Sequence, residues 1–334
     1  MLIDECLADY EGLQVILIEA LFNTANIAGC LQLEQRTIKM NFLNRAMAPT
    51  PPTVLQRLRQ LRVVLALLVI SSFLPVNILA QDPKAEKTPE AKPTAENVAK
   101  AEQVVARGIE TIGGSNYLNV KTVLSRGFYT TFIDGISQIP ARFLDYLAFP
   151  DRERTEFIGS GIRTIQTNVG ETGWFYDGAT KSLHDMKPAQ IEDFKRVMRT
   201  SMENLLHGWW RKEGGTLSYI GRREAGLAKR NEVVRLTYPE GFWIEYEFGA
   251  RDGLPAKIIY KRSRKKPDSE ETEELTEEDR LAKPITVAGV TAPWVIDHYI
   301  NGIQTSRINY ESIEYNPSLA SSLFAKPADV KSLK

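Results

Sequence analysis

Beyond Gly114 apolar side chains recur at every second position through one short segment after another, and that period suits an antiparallel sheet better than any helix. Phe242, Ile244, Tyr246 and Phe248 alternate with Trp243, Glu245 and Glu247, and Val234, Leu236 and Tyr238 with Val233, Arg235 and Thr237. Successive side chains of a strand point to opposite faces, so each run predicts a half-buried strand. Further strands are expected at 122–133, 140–149, 152–158, 162–169, 173–176, 216–223, 256–262, 292–301 and 305–315. Asp134-Gly135, Pro239-Glu240-Gly241 and Asp252-Gly253 supply turns between them. So many consecutive strands imply one long, curled meander.

Two segments carry a helical period instead. Val98, Ala101, Val105, Ile109 and Ile112 predict a first helix that Gly113-Gly114 stops. A second is expected from Pro188 to about Trp210, with an apolar stripe of Ile191, Phe194, Met198, Met202, Leu205 and Trp209 laid on the concave side of the sheet. The order helix, strands, helix, strands has no βαβ rhythm, which excludes a parallel sheet.

Residues 47–80 read as an export signal. RLRQLR at 57–62 is a basic lead, VVLALLVISSFLPVNILA at 63–80 is the apolar stretch, and the chain turns polar at Gln81. A rival reading is an uncleaved inner-membrane anchor, since a stretch of roughly 18 apolar residues lies at the lower edge of what spans a bilayer. No cysteine follows the stretch to take a lipid. Residues 1–46 form an extra N-terminal extension, and we expect translation to begin at Met47. Residues 81–97, rich in Pro, Lys, Glu and Ala, read as a flexible linker before a single β-rich domain at 98–334. The basic KRSRKK at 261–266 and acidic DSEETEELTEED at 268–279 are expected to form a solvated, mobile charged loop at 261–282, with partner docking as the alternative.

Composition narrows the chemistry. Lys and Arg total 42, as do Asp and Glu, so nothing favours nucleic acid or an anionic bilayer. Cys6 and Cys30 both precede the export signal, leaving the domain no disulfide and no thiolate chemistry. His184, His207 and His298 show no close metal-ligand spacing, and no nucleophile elbow, phosphate loop or dinucleotide fingerprint occurs, so neither metal nor cofactor is expected. Asp297 and His298 adjoin on a strand and face opposite ways; an exposed Asp beside a packed His explains them. Glu245 and Glu247 share a face, which a wet outer surface explains better than glycoside chemistry.

Apolar excess is the more informative signal. Met198, Met202, Leu205 and Trp209 on the second helix, with Phe242, Ile244, Tyr246 and Phe248 on a strand, are the candidate hydrophobic ligand-binding residues; an ordinary filled core is the competing explanation.

Three segments extend the argument: AEQVVARGIETIGGSNYLNVKTVLSRGFYTTF, NVGETGWFYDGATKSLHDM and INYESIEYNPSLASSLFAKPADV. A helix leads into Val120-Lys121-Thr122 and the first strand, a W-x-Y-D-G turn spans 174–178, and a closing strand precedes Asn316, Leu323-Phe324 and Pro327. Together they resemble the bacterial periplasmic carriers that sort lipoproteins to the outer membrane, the LolA/LolB-like fold. The resemblance implies a mainly β (α+β) domain: a strongly curved antiparallel sheet forming an open half-barrel, with helices covering the concave face over an apolar cavity. It implies a monomeric, non-enzymatic periplasmic carrier whose partners are the acyl chain of a lipid or lipoprotein and an envelope protein. The alternatives are a membrane-anchored interaction module with a filled core and an enzyme with a dispersed site.

Overall fold

The computed structural model describes residues 93–266 and 271–333; the export signal, the N-terminal extension and linker residues 81–92 lie outside them. Helix α1 (Ala95–Thr111) and the single turn α2 (Ser115–Leu118) precede strands β1 (Thr122–Ile133), β2 (Ile136–Ser137), β3 (Ala141–Ala148), β4 (Arg152–Gly159), β5 (Ile162–Val169), β6 (Thr172–Asp177) and β7 (Ser182–Asp185). Helices α3 (Pro188–Thr200) and α4 (Met202–His207) follow, then β8 (Thr216–Glu224), β9 (Arg230–Thr237), β10 (Trp243–Gly249), β11 (Pro255–Lys265), β12 (Thr272–Val287), β13 (Val290–Ile300) and β14 (Ile303–Tyr315). Among the described residues no helix is long and apolar enough to cross a membrane.

All the strands join one antiparallel sheet, in the order β7-β6-β5-β4-β3-β1-β14-β13-β12-β11-β10-β9-β8, with β2 paired only to β1. Two meanders therefore meet at a seam between the first and last strands, and the sheet ends unclosed at β7 and β8. Register shifts interrupt the ladders at Arg126/Gly127, Glu247/Phe248, Tyr219/Gly221 and His298/Tyr299. Such bulges bend a strand and increase its twist, which curls a sheet of this width. The unclosed curved sheet with helices over its concave face is the architecture implied by the resemblance.

Helix α1 starts at Thr94, whose hydroxyl accepts from the Asn97 amide, and buries Ala101, Val104, Val105 and Gly108. Gly108 is fixed by proximity: a Cβ there would lie 2.6 Å from a ring carbon of Phe248, so the helix can cross β10 this closely only without a side chain. Gly113 ends the segment at φ 129°, where a Cβ would meet the Gly289 carbonyl at 2.3 Å.

The second helix is not continuous. Ser201 has ψ 155°, closes α3 and caps α4 by accepting from the Asn204 amide; Gly208, left-handed at φ 71°, then ends α4. The side chain that could cap a new helix outcompetes continuation at Ser201, and Tyr246 steadies the break by donating to the carbonyls of Thr200 (3.2 Å) and Ser201 (3.3 Å).

The described residues of the charged stretch, 261–266 and 271–282, are almost all strand where a loop was expected. They form the pairing ends of β11 and β12, with Lys261 opposite Thr276 and Arg264 opposite Glu273. Lys261–Glu274 (2.6 Å), Arg264–Glu273 (2.7 Å) and Lys266–Glu271 (2.6 Å) link the two runs. Opposite charges set across a ladder neutralise the repulsion that each run has alone.

Glu245 and Glu247 need a second correction: they are 4% and 0% exposed rather than wet. Arg223 reaches both carboxylates at 2.7 Å, Arg235 holds Glu245 at 2.8 Å, and Asn231 donates to Glu247 at 2.8 Å. Burial pushes the Glu245 carboxyl up, but the two guanidiniums outweigh it and hold it below the ordinary range.

The segments that carried the resemblance are tied together. Lys121 N–H donates to Asn316 Oδ1 (2.7 Å) and Thr122 Oγ1 to the Pro317 carbonyl (2.8 Å). The Trp174 indole N–H donates to the Phe324 carbonyl (3.0 Å). The turn begins later than expected: 172–177 is strand, and Asp177 then accepts from the Ala179 amide and the Thr180 hydroxyl.

Candidate functional site

A cavity of about 1140 Å³ lies between the helices and the concave face of the sheet. Ile112 and Tyr117 close it from the first helical segment; Phe194 and Val197 of α3, and Met202 and Leu206 of α4, line it from the second. The sheet contributes Val123 and Tyr129 of β1, Leu147 of β3, Ile296 of β13, and Ile308, Tyr310 and Ile313 of β14. Leu206 follows Met202 by four residues, so both project from one side of α4.

Of the eight candidate ligand-binding residues, Met202 lines this cavity. Leu205, Ile244, Tyr246 and Phe248 are 0–1% exposed and belong to the packed core between α1, α4 and the sheet. Phe242 packs against that core and approaches Tyr238 and Tyr260, with ring centroids 6.1 and 6.3 Å away. Met198 is half-buried away from the cavity wall. Trp209 stacks on His207 at 4.8 Å and stands 5.6 Å from Phe149, which does line the cavity. The inward face of β8–β10 is thus covered by α1 and α4, and the open volume lies chiefly over β1 and β11–β14.

Two polar regions punctuate the apolar wall. The first, on β11–β13, centres on His298, whose Nδ1 contacts Asp279 Oδ1 at 2.6 Å and Nε2 contacts Glu277 Oε2 at 3.1 Å. Arg262 also bonds Glu277, and Tyr260 donates to it at 3.2 Å. Burial pulls the imidazole down, yet Asp279 and Glu277 outweigh it and raise His298 to about 10. Burial pushes Glu277 up, and His298 with Arg262 outweighs that to hold it at about 2. At neutral pH the imidazole is therefore a cation locked between two carboxylates, unsuited to shuttling protons. Asp297 faces the opposite way, as alternation requires, but is not exposed: its side chain is 15% exposed and bonds Arg307 at 2.8 Å. His184 stands exposed on β7 beside Ser182. Among the described residues no cluster of three His, Cys, Asp or Glu could hold a metal ion.

The second polar region lies on β1 and β3–β5. Ser125, Asp145, Thr155 and Gln166 stand opposite one another across neighbouring strands, and Leu147, Glu153 and Asn168 form the next row. Ser125, Glu153 and Gln166 line the cavity, as does Glu203 across from them on α4. Burial pushes up the carboxyls of Asp145, Glu153 and Glu203. Sequence reasoning missed this patch because β5 inverts the usual pattern. Ile165 faces the convex side, packed with Trp174 and Leu333 beneath the C-terminal segment, so polar Gln166 and Asn168 face inward. The alternation was visible; which side the tail would cover was not.

No family model matches the sequence, and no curated protein matches it. Among solved structures the chain is similar to a DUF1329 family protein from Desulfovibrio piger, at 10% identity over 69% of this chain and 97% of that one, with a TM-score of 0.46. It is also similar to a LolA superfamily protein from Nitrosomonas europaea, at 10% identity over 68% and 97% of the two chains, with a TM-score of 0.45. Both are similarities of fold.

Proposed function

We propose that this protein is a non-enzymatic carrier of the cell envelope that shelters the acyl chain of a lipid or lipoprotein in its concave cavity and passes it to a partner. The observation that carries this reading is the cavity itself: about 1140 Å³ bordered by 21 Ile, Leu, Val, Met, Phe and Tyr residues together with charged and small ones. Ligand pockets commonly hold roughly 300–1,000 Å³, so the space exceeds what packing defects produce. Transfer of a sixteen-carbon chain out of water contributes roughly 12 kcal/mol gross at about 0.8 kcal/mol per methylene. Association costs about 4 kcal/mol or more against that, leaving useful affinity without any reaction chemistry.

The apolar stretch at 63–80 behind a basic lead supports export, and a periplasmic site of action follows from it in this reading. A volume of this size favours the carrier over a module with a filled core. The test is direct. Protein purified from its native envelope should carry extractable lipid, and a fluorescent fatty acid should bind it and be displaced by unlabelled lipid. Met202→Trp, which places an indole in the cavity, should cut fluorescent-lipid capacity at least about threefold while the circular dichroism spectrum is unchanged. Full lipid capacity in Met202→Trp, or no lipid bound by the native protein, would refute the reading.

A further inference from the structure

We infer that the β3–β5 end of the cavity receives the head of the ligand, and that this head is uncharged and donates hydrogen bonds, as a glyceride hydroxyl or an amide N–H does, rather than being a carboxylate or phosphate. The inference rests on the acyl-carrier reading and adds the class of lipid.

Two unpartnered polar atoms point to a missing ligand group. Gln166 is 8% exposed and lines the cavity, and its Oε1 has no hydrogen-bond partner; Tyr117, 9% exposed on the same cavity, has none for its hydroxyl. A buried polar atom left unpaired is unfavourable, and a native fold retains one where something else satisfies it. An amide oxygen can only accept, so its missing partner is a donor.

Charge excludes an anion. Asp145 and Glu153 stand in successive rows of β3 and β4, and Glu153 on the sheet and Glu203 on α4 line the same cavity. Among the described residues no Lys or Arg lines the cavity from β1, β3, β4 or β5. A carboxylate or phosphate brought here would give up its water with no cation from these strands to compensate it, and that desolvation is the penalty. Burial disfavours the charged form of all three acids and raises Asp145 to about 7 and Glu153 to about 8, so near pH 6 those two are neutral and can donate to or accept from an uncharged head. The cations that border the cavity stand on α3 or on the other half of the sheet: Arg196, Arg262 and His298 face Asp193, Glu277 and Asp279, and Lys229, Arg230, Arg251 and Lys283 lie on the β8–β12 side, separated from this patch by β1, β14 and β13.

The experiment is competition against an uncharged fluorescent probe near pH 6, using 1-monopalmitoylglycerol, palmitate and hexadecylammonium on the wild-type protein and on Gln166→Leu. Monopalmitoylglycerol should bind about tenfold tighter than palmitate, the scale of one or two satisfied buried hydrogen bonds. Gln166→Leu removes an unpaired polar group, so it should melt at or above the wild-type temperature while weakening the glyceride alone. Palmitate binding as tightly as the glyceride would overturn the inference. So would tightest binding by hexadecylammonium, which would make the acid cluster a cation site, or a Gln166→Leu effect shared equally by all three ligands. Failure of every sixteen-carbon ligand to bind would instead sink the carrier reading itself.

Discussion

At the residue scale, the cavity wall makes stability depend on pH in two opposed ways. Glu277 is held at about 2 against an ordinary carboxylate near 4.5, so its contribution is present above that value and is lost as pH falls toward 2. His298 is raised to about 10, so its contribution is complete below its unfolded value of about 6.5 and is lost as pH rises from there toward 10. Asp145 and Glu153, raised by burial, act in the same sense as His298: the folded state holds protons that the unfolded chain has released, and rising pH removes their benefit. Melting temperature should therefore peak near about pH 4 to 4.5, where the gain from Glu277 is complete and the loss from Asp145 and Glu153 begins, and Glu153→Gln should flatten the fall above it. A profile rising steadily to pH 9 in a thermal scan would contradict this. Gly108 supplies a second prediction: Gly108→Val drives a side chain into Phe248 and should lower stability by about 2 kcal/mol in a urea titration.

Charged strands separate at the element scale into pairs that matter and pairs that do not. On β10 the carboxylates of Glu245 and Glu247 are buried and depend on Arg223 from β8; Arg223→Ala leaves two buried acids short of a partner and should cost about 3 kcal/mol. On the β11–β12 hairpin, Lys261 and Glu274 are 44% and 61% exposed, and Lys261→Ala should change stability by less than about 0.5 kcal/mol. Chemical denaturation of the two variants side by side checks the contrast. The same elements show where sequence legibility stopped. Strand β10 was readable because Ile244, Tyr246 and Phe248 alternate with polar groups. Strand β12 was not, because its stretch from Thr272 through Asp279 holds a single strongly apolar side chain, Leu275, and pairs through charges supplied by β11. Helix α3 was readable from Pro188 onward, while its end at Ser201 depends on a side-chain cap and on Tyr246, forty-five residues away.

For the whole molecule, the decisive contact is the seam between β1 and β14, which joins residues such as Gly127 and Tyr310. Each meander is local, but the curved surface exists only once the two are paired along that seam. The cavity then forms because helices α3 and α4 bridge from β7 to β8, the two open edges, and pass over the concave face. A ligand seated there binds only this assembled state. Saturating lipid at about a hundred times its dissociation constant should raise the unfolding free energy by roughly 2.7 kcal/mol, seen as a concentration-dependent rise in melting temperature.

Local chemistry alone determined the strand positions, the helix stripes, most of the turns and the absence of cysteine from the domain, because side-chain period and backbone preference act between near neighbours. Tertiary structure decided which inward-facing residues border open space and which are merely packed. Met202 meets the cavity while Leu205 and Phe248 do not, since α1 and α4 cover β8–β10 and leave open space over β1 and β11–β14. It also turned Gln166 and Asn168 inward by laying the C-terminal segment over Ile165 and Trp174. A pattern of alternation names two faces, and only the rest of the chain, by choosing what to cover, makes one of them the inside.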